Sequence, residues 1–271
     1  MIRDVPGGLA VDILGIGLLG PGLPGWAAGR ALLAGQAAWA GAPTPVPAPA
    51  RLPPTERRRA GLIIKCAIAV ADEACAGAGV DPGTLATVFT SSSGDPANCH
   101  ALCEALAAPE PFVSPTRFTN SVHNASAGYW HIATASRAPS TSLCAFDASF
   151  GAGLLESLAQ VASGGTEIGL IAYDLDYPEP LRQARSTLAP LAIALLLAPG
   201  LEGPGLARVS LSLGTGAATP LGHAELERLR GGIPAGAGLA ILEPIARRTA
   251  ATVRLEYLAP TSLIARVEPC P

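Results

Sequence analysis

At 271 residues the chain is long enough to bury a substantial core as one large domain. With 49% hydrophobic, 14% charged and 4% aromatic residues, it is not a solvated or disordered chain, and it favours a compact α/β protein with a buried sheet. The formal net charge is −3 and the one basic block is Arg57-Arg58-Arg59, read as the solvated first turn of a helix, so nucleic acid is excluded as the expected partner.

In chain order, Ala10 to Gly20 reads as a strand running into a glycine turn, and Gly25 to Trp39 as a helix. A proline-rich surface loop, "APTPVPAPARLPP", follows. Thr55 to Gly79 is one long helix, apolar on most of its circumference and ended by glycine. Thr84 to Gly94 is a strand ending in small polar residues, and Pro96 to Ala107 a short helix before the loop "PEPFVSPTRFTN". Ser121 to Ser136 reads as a helix, Thr141 to Phe146 as a strand, and the run through Ser163 as the helix after a tight turn. Glu167 to Asp176 is the next strand.

Beyond Pro178 the pattern is mostly strand-like, with "PLAIALLLAP", "LARVSLSLGTG", "TVRLEYLAP" and "SLIARVEP" around one helix-like piece, Leu239 to Thr249. The β-α alternation of the first two-thirds predicts a largely parallel sheet with helices on both faces. The apolar run Leu188 to Pro199 is too short to span a bilayer and is a buried-strand candidate. Asp4 and Asp12 interrupt the first apolar stretch, so no secretory leader is expected, and the six scattered cysteines read as reduced thiols of a cytoplasmic protein.

Four patterns suggest chemistry. Gly15-Ile-Gly17-Leu-Leu-Gly20 matches a dinucleotide fingerprint. The helix after it begins late, however, and no acidic ribose partner follows, so packing is the favoured reading. Cys99 and Cys103 flank His100 on one helix face, without the second ligand pair that a zinc site requires, so no metal is expected. Asp147-Ala-Ser149-Phe150-Gly151 stands one residue from a serine-hydrolase elbow, with Asp174 or Asp176 and His223 in the right chain order. A carboxylate in place of the first elbow glycine would oppose the oxyanion, which argues against a Ser149 nucleophile. His123-Asn124 reads either as a helix cap or backbone-bonding pair, or as half of an acid/base site with Asp147.

Taken together, "VDILGIGLLGPG", "TERRRAGLIIKCAIAVADEACAGAGVDPGTLATVFTSSSGD" and "SPTRFTNSVHNASAGYWHIATASRAPSTSLCAFDASFGAG" resemble the N-terminal half of a β-ketoacyl synthase. Within that family they are most similar to the short chain-length-factor type of aryl-polyene pigment clusters. The resemblance covers roughly residues 10 to 200. It implies a thiolase-like α/β fold, layered α-β-α with a mixed five-stranded sheet. The synthase-like domain would span 1–200, and 201–271 a truncated strand-rich segment packing on the same core.

By the same resemblance, the acyl-accepting cysteine of a synthase falls on Asp147, with Cys144 three residues too early and inside the strand. His223 lies in neither glycine-rich setting of the two synthase histidines, so a degenerate site is implied. The resemblance then implies a non-catalytic subunit that pairs with an active β-ketoacyl synthase, meets acyl carrier protein through that complex, and shapes the acyl tunnel of polyketide or fatty-acid type synthesis. Thr141, Ser142, Leu143, Cys144 and Phe146 would lie at the interface, together with helix 121–136. Phe118, His123, Asn124, Tyr129, Trp130 and Phe150 would border the tunnel. Asp147 would bond the amides at the start of the next helix. No cofactor, nucleic acid or membrane enters this reading. Its alternatives are a stand-alone hydratase or isomerase using His123 and Asp147 on an acyl thioester, and the Ser149 hydrolase.

Overall fold

A computed structural model describes residues 9–200 and 205–270; the segment carrying Asp4 lies outside them. The chain order begins with β1 (Leu9–Leu19), α1 (Trp26–Leu33), α2 (Pro54–Arg59), α3 (Leu62–Ala78), β2 (Ala86–Thr90), α4 (Pro96–Ala107), α5 (Pro115–Thr119) and α6 (Ala125–Thr134). It continues through β3 (Ser140–Leu143), α7 (Ser149–Gly164), β4 (Ile168–Asp174), α8 (Leu181–Ala184) and β5 (Leu191–Ala198). The last elements are β6 (Ala207–Thr215), α9 (Ala224–Gly232), α10 (Leu239–Arg247), β7 (Ala251–Glu256) and β8 (Thr261–Pro269). Short 3-10 turns occupy Phe146–Ala148 and Pro234–Gly238.

The eight strands form one mixed sheet in the order β3-β2-β4-β5-β1-β6-β8-β7. The five strands before residue 200 are contiguous in it, and β6, β8 and β7 continue it from β1. Only β3-β2 and β2-β4 are parallel, and every other pairing is antiparallel. The largely parallel sheet expected from β-α alternation is therefore wrong. Right-handed crossovers through helices yield parallel neighbours only where a helix intervenes. The segment 175–190, with just the single turn α8, returns the chain antiparallel.

Each face of the sheet carries its own apolar layer. On one side α3 and α6 pack on Phe89, Ile171, Tyr173 and on Ala192, Ala194 and Leu196 of β5, with Trp130 fully buried. On the other, α1, α7, α9 and α10 cover Val88, Leu170, Leu195, Val209 and Val267. All eight residues of β5 are buried, as a central strand covered on both faces requires.

The glycine fingerprint is explained by this layering. A Cβ on Gly17 would stand 1.9 Å from the Val70 carbonyl oxygen, and one on Gly15 2.2 Å from that of Ala74. Backbone of α3 thus lies directly on backbone of β1, with no cradle for a phosphate. From this helix Ile63, Ile64, Ile68 and Val70 are buried, each stabilising by about 1.5–3 kcal/mol. Cys66 and Cys75 are buried here as well, and burial pushes their thiols up to about 12 and about 11. Both are packing groups rather than reactive ones.

The long helix expected over 55–79 is in fact two. Ala60 is extended (ψ 118°) between α2 and α3, and Asn120 Nδ2 donates to the Arg59 carbonyl freed by the break. A Cβ on Gly61 would meet Asp95 Oδ2 at 2.8 Å, so the cap of α4 presses on the break. Arg57-Arg58-Arg59 accordingly ends a helix instead of opening one, where cations suit the macrodipole. Arg57 Nη2 donates to the carbonyls of Ala50 and Leu52, both at 2.9 Å, and pins the proline-rich loop. The helix expected to reach Trp39 stops at Leu33, with Gly35 at φ +73°. Among the described residues no helix is long and apolar enough to cross a membrane.

Candidate functional site

The ends of β2, β3 and β4 converge on one point of the sheet edge. Ladder pairing stops at Leu143, so the strand expected through Phe146 is shorter, and Cys144 lies beyond it, exposed. Its thiol contacts the Ser92 carbonyl at 3.2 Å. The chain then turns through Phe146, whose φ of +53° is a left-handed conformation that costs a bulky L-residue energy. Ser149 Oγ donates to the Phe146 carbonyl at 2.6 Å and accepts the Ala145 amide at 3.0 Å. Ser149 is 1% exposed, so its hydroxyl closes the turn and is withdrawn from solvent. The hydrolase reading fails on this geometry, because a nucleophile must be both open and paired with a base.

Asp147 does not bond the amides of α7, contrary to expectation; α7 has no side-chain cap. The 3-10 turn carries the carboxylate outward, where it pairs with Arg185. The Arg185 guanidinium also donates to Ser92 Oγ at 2.6 Å and lies 3.7 Å from the centroid of the Phe146 ring, with Tyr177 at 5.7 Å. Asp147 and Arg185 border a cavity of about 320 Å³, walled further by Thr187, Arg230, Ile233 and Glu256. No histidine lines it. Arg230 is itself held by Glu227 through two 2.7 Å bonds.

Below the turn lies Asp174, 2% exposed at the end of β4. It accepts from the Ser92 amide at 2.8 Å, Ser91 Oγ at 3.1 Å and the Ala235 amide at 2.8 Å. Burial pushes its carboxyl up to about 6, against the lowering effect of those three donors and of Arg185. A buried carboxylate of this kind persists because its hydrogen bonds are satisfied. It ties the end of β2 to the 3-10 turn at 234–238. The sequence offered Asp174 only as the acid of a triad. Ser91, Ser92 and Arg185 were missed, although the small-polar end of the β2 run was a legible sign of a crowded strand end.

His123 faces the other side of the same strand end. Its Nε2 donates to the Ser91 carbonyl at 3.2 Å, and it lines a groove of about 530 Å³ with Asn124, Gly128, His131, Ser140 and Ser142. His123 and Asp147 are therefore not a pair. One is bonded to the Ser91 backbone at the end of β2, the other to Arg185 at the opposite cavity. That corrects the acid/base alternative. Asn124 stands at the N-cap of α6, which begins four residues later than the expected Ser121, and makes no side-chain cap bond.

The six expected tunnel residues do not surround one space. His123 and Asn124 share the groove, and Phe118 is 68% exposed on α5. Trp130 and Tyr129 belong to the core layer under α3, with Tyr129 donating to Asn120 Oδ1 at 3.2 Å. Phe150 is in the layer on the opposite face. Thr141, Ser142 and Leu143 are half-buried on β3, which is one of the two edge strands and has one hydrogen-bonding side open; Cys144 and Phe146 are exposed beside it.

A third cavity, about 810 Å³, is a surface cleft bordered by Arg58, Arg59, Arg117 and Arg182 with Asp95 and Asp176. Asp95 spends its carboxylate on the Asn98 amide as the cap of α4, and Asp176 pairs with Arg182. The cleft is consequently net cationic. Among the described residues no group of three or more His, Cys, Asp or Glu side chains could hold a metal.

Comparison with known proteins identifies the family and the fold. The model of the β-ketoacyl synthase N-terminal domain family matches residues 31–220. No curated protein matches the chain. Among solved structures, the ketosynthase ApeO in complex with its chain length factor ApeC, from Xenorhabdus doucetiae, matches with TM-score 0.73 at 22% identity over 95% of this chain and 99% of that one. The ishigamide ketosynthase/chain length factor matches with TM-score 0.73 at 17% identity, covering 97% and 100% of the two chains. A type II polyketide acyl-carrier protein in complex with its ketosynthase, AntDE:AntF, matches with TM-score 0.70 at 11% identity over 97% and 100%. This chain belongs to the β-ketoacyl synthase N-terminal domain family and has the thiolase-like fold.

Proposed function

From that membership, we propose that the chain is a chain-length-factor-like subunit that does not itself condense acyl units and pairs with an active β-ketoacyl synthase. One observation carries the reading: the turn after β3, where a synthase presents its cysteine, holds Asp147 engaged with Arg185, and no histidine borders the cavity behind it. A carboxylate forms no thioester, and without imidazoles nothing there stabilises a decarboxylating extender. The scaffold is retained without its covalent step, and binding is what remains for it to do.

The open side of β3 supplies the means. Ser140–Leu143 can add to a partner strand, joining two sheets, and exposed Cys144 and Phe146 follow directly on that edge. The arginine-lined cleft suits an acidic carrier protein docking on the assembled pair. Support for the two partners comes from the similar structures, which are complexes of a ketosynthase with a chain length factor or with a carrier protein. The product class is then a polyketide or polyene of the aryl-polyene kind, made in the cytoplasm, with Phe118 and the groove at His123 bordering the acyl tunnel across the interface.

Co-expression with a cysteine-bearing synthase tests this. Sedimentation should show a one-to-one pair, and condensation should appear only with both chains present. Condensation or thioester turnover by this chain alone sinks the proposal.

A further inference from the structure

We infer that Asp147 is the resident counter-ion of Arg185, and that the two form a latch holding the 175–190 segment over the turn at Phe146. The inference stands on contacts within this chain and needs no partner; if it fails, the subunit reading still has the carboxylate in place of a cysteine and the cavity without histidine.

Three independent contacts of one side chain converge here. Arg185 lies just after α8, in a segment whose sequence has no apolar periodicity to pin it. Its guanidinium nevertheless reaches the end of β2 through Ser92 Oγ, the turn through Asp147, and the Phe146 ring face at 3.7 Å. A planar cation that donates in its plane and stacks through its face can satisfy all three at once, which a lysine cannot. Phe146 is 61% exposed at positive φ, with no core to hold it. The stacked guanidinium is what covers the ring and gives the strained turn a neighbour.

Remove the carboxylate, and Arg185 stays half-buried beside Asp174 and Ser92 with one anion fewer. Its hold on the turn weakens, and the wall of the 320 Å³ cavity opens at that side. The carboxylate at the former acyl position is therefore a structural anion. It occupies a guanidinium that would otherwise present a small-carboxylate site to the cavity.

Chemical rescue separates this from a vestige of chemistry. In Asp147→Ala, amide hydrogen exchange over residues 181–187 should quicken by up to about fivefold, the ceiling expected of a partly exposed ion pair. Sodium formate should slow it again by refilling the vacated anion position, and sodium chloride at equal ionic strength should not. Asp147→Asn, which fills the space without the charge, should exchange fast and show no rescue. Asp147→Ala/Arg185→Met should also show none, because the guanidinium is gone. Unchanged exchange in Asp147→Ala, or formate acting equally on the double variant, would overturn the latch.

Discussion

Two small-residue runs of this chain look like sites for ligands, and only one of them gathers polar groups. At Gly15 and Gly17 the missing side chains are occupied by α3 backbone, at 2.2 and 1.9 Å from a notional Cβ. That stretch of β1 is sealed by packing. At 145–149 the small residues surround polar groups: Ser149 closing the turn, Asp147 facing Arg185, and Asp174 beneath with three donors. A spacing motif cannot distinguish these cases, because both need glycine or serine where backbone comes close. What separates them is whether the neighbouring atoms are apolar and continuous or polar and convergent.

The largest expected effect is at the packed glycines of β1. Gly17→Ala forces α3 off β1 and should cost about 3 kcal/mol or more, read as a lowered denaturant midpoint. An alanine tolerated there would mean that the two backbones are not in contact.

Asp174→Asn comes next, losing about 1–3 kcal/mol at neutral pH because an amide NH₂ must face backbone donors. The wild-type pH profile sharpens the point. The folded carboxyl titrates near 6, above its ordinary value of 3.8, so the folded state binds the proton more tightly than the unfolded one. Its contribution to stability is present below about pH 4, falls by about 3 kcal/mol as pH rises through 6, and is flat above. Asn should abolish that slope. A wild-type profile level between pH 4 and 7, with Asn matching it, would remove Asp174 as the hub.

Ser149→Ala should cost about 1–2 kcal/mol by freeing the Ala145 amide and the Phe146 carbonyl, and no esterase activity should be lost with it. Phe146→Gly is the smallest, gaining about 1 kcal/mol from relieved backbone strain and losing a similar amount of stacking. A net change beyond 1 kcal/mol in thermal unfolding would show which of the two dominates.

Much of the architecture was legible because it rests on apolar periodicity. The β1 run, the α3 pattern with Gly79 as its left-handed cap, and the eight buried residues of β5 each follow from local sequence. The break at Ala60 was not legible, since apolar spacing runs straight across it and the cause, Asn120 and Asp95, lies elsewhere in the chain. Strand direction was hidden for the same reason, being decided by a segment with little pattern. At the site, Asp147 stood out by its position, but Arg185 carried no signal: it sits 38 residues away in an irregular stretch. The bulky tunnel candidates were chosen by size near the right helix. Size equally suits a core, which is where Trp130 and Phe150 reside.

The edge strand β3 is four residues long and reads Ser-Thr-Ser-Leu. Short, hydroxyl-rich edges are poor templates for runaway cross-β aggregation, yet their amides stay free to pair. Such an edge discriminates by demanding flanking complementarity as well as backbone bonds. Under the pairing proposed above, such an edge keeps the lone chain from templating further copies while leaving its backbone groups available to a partner.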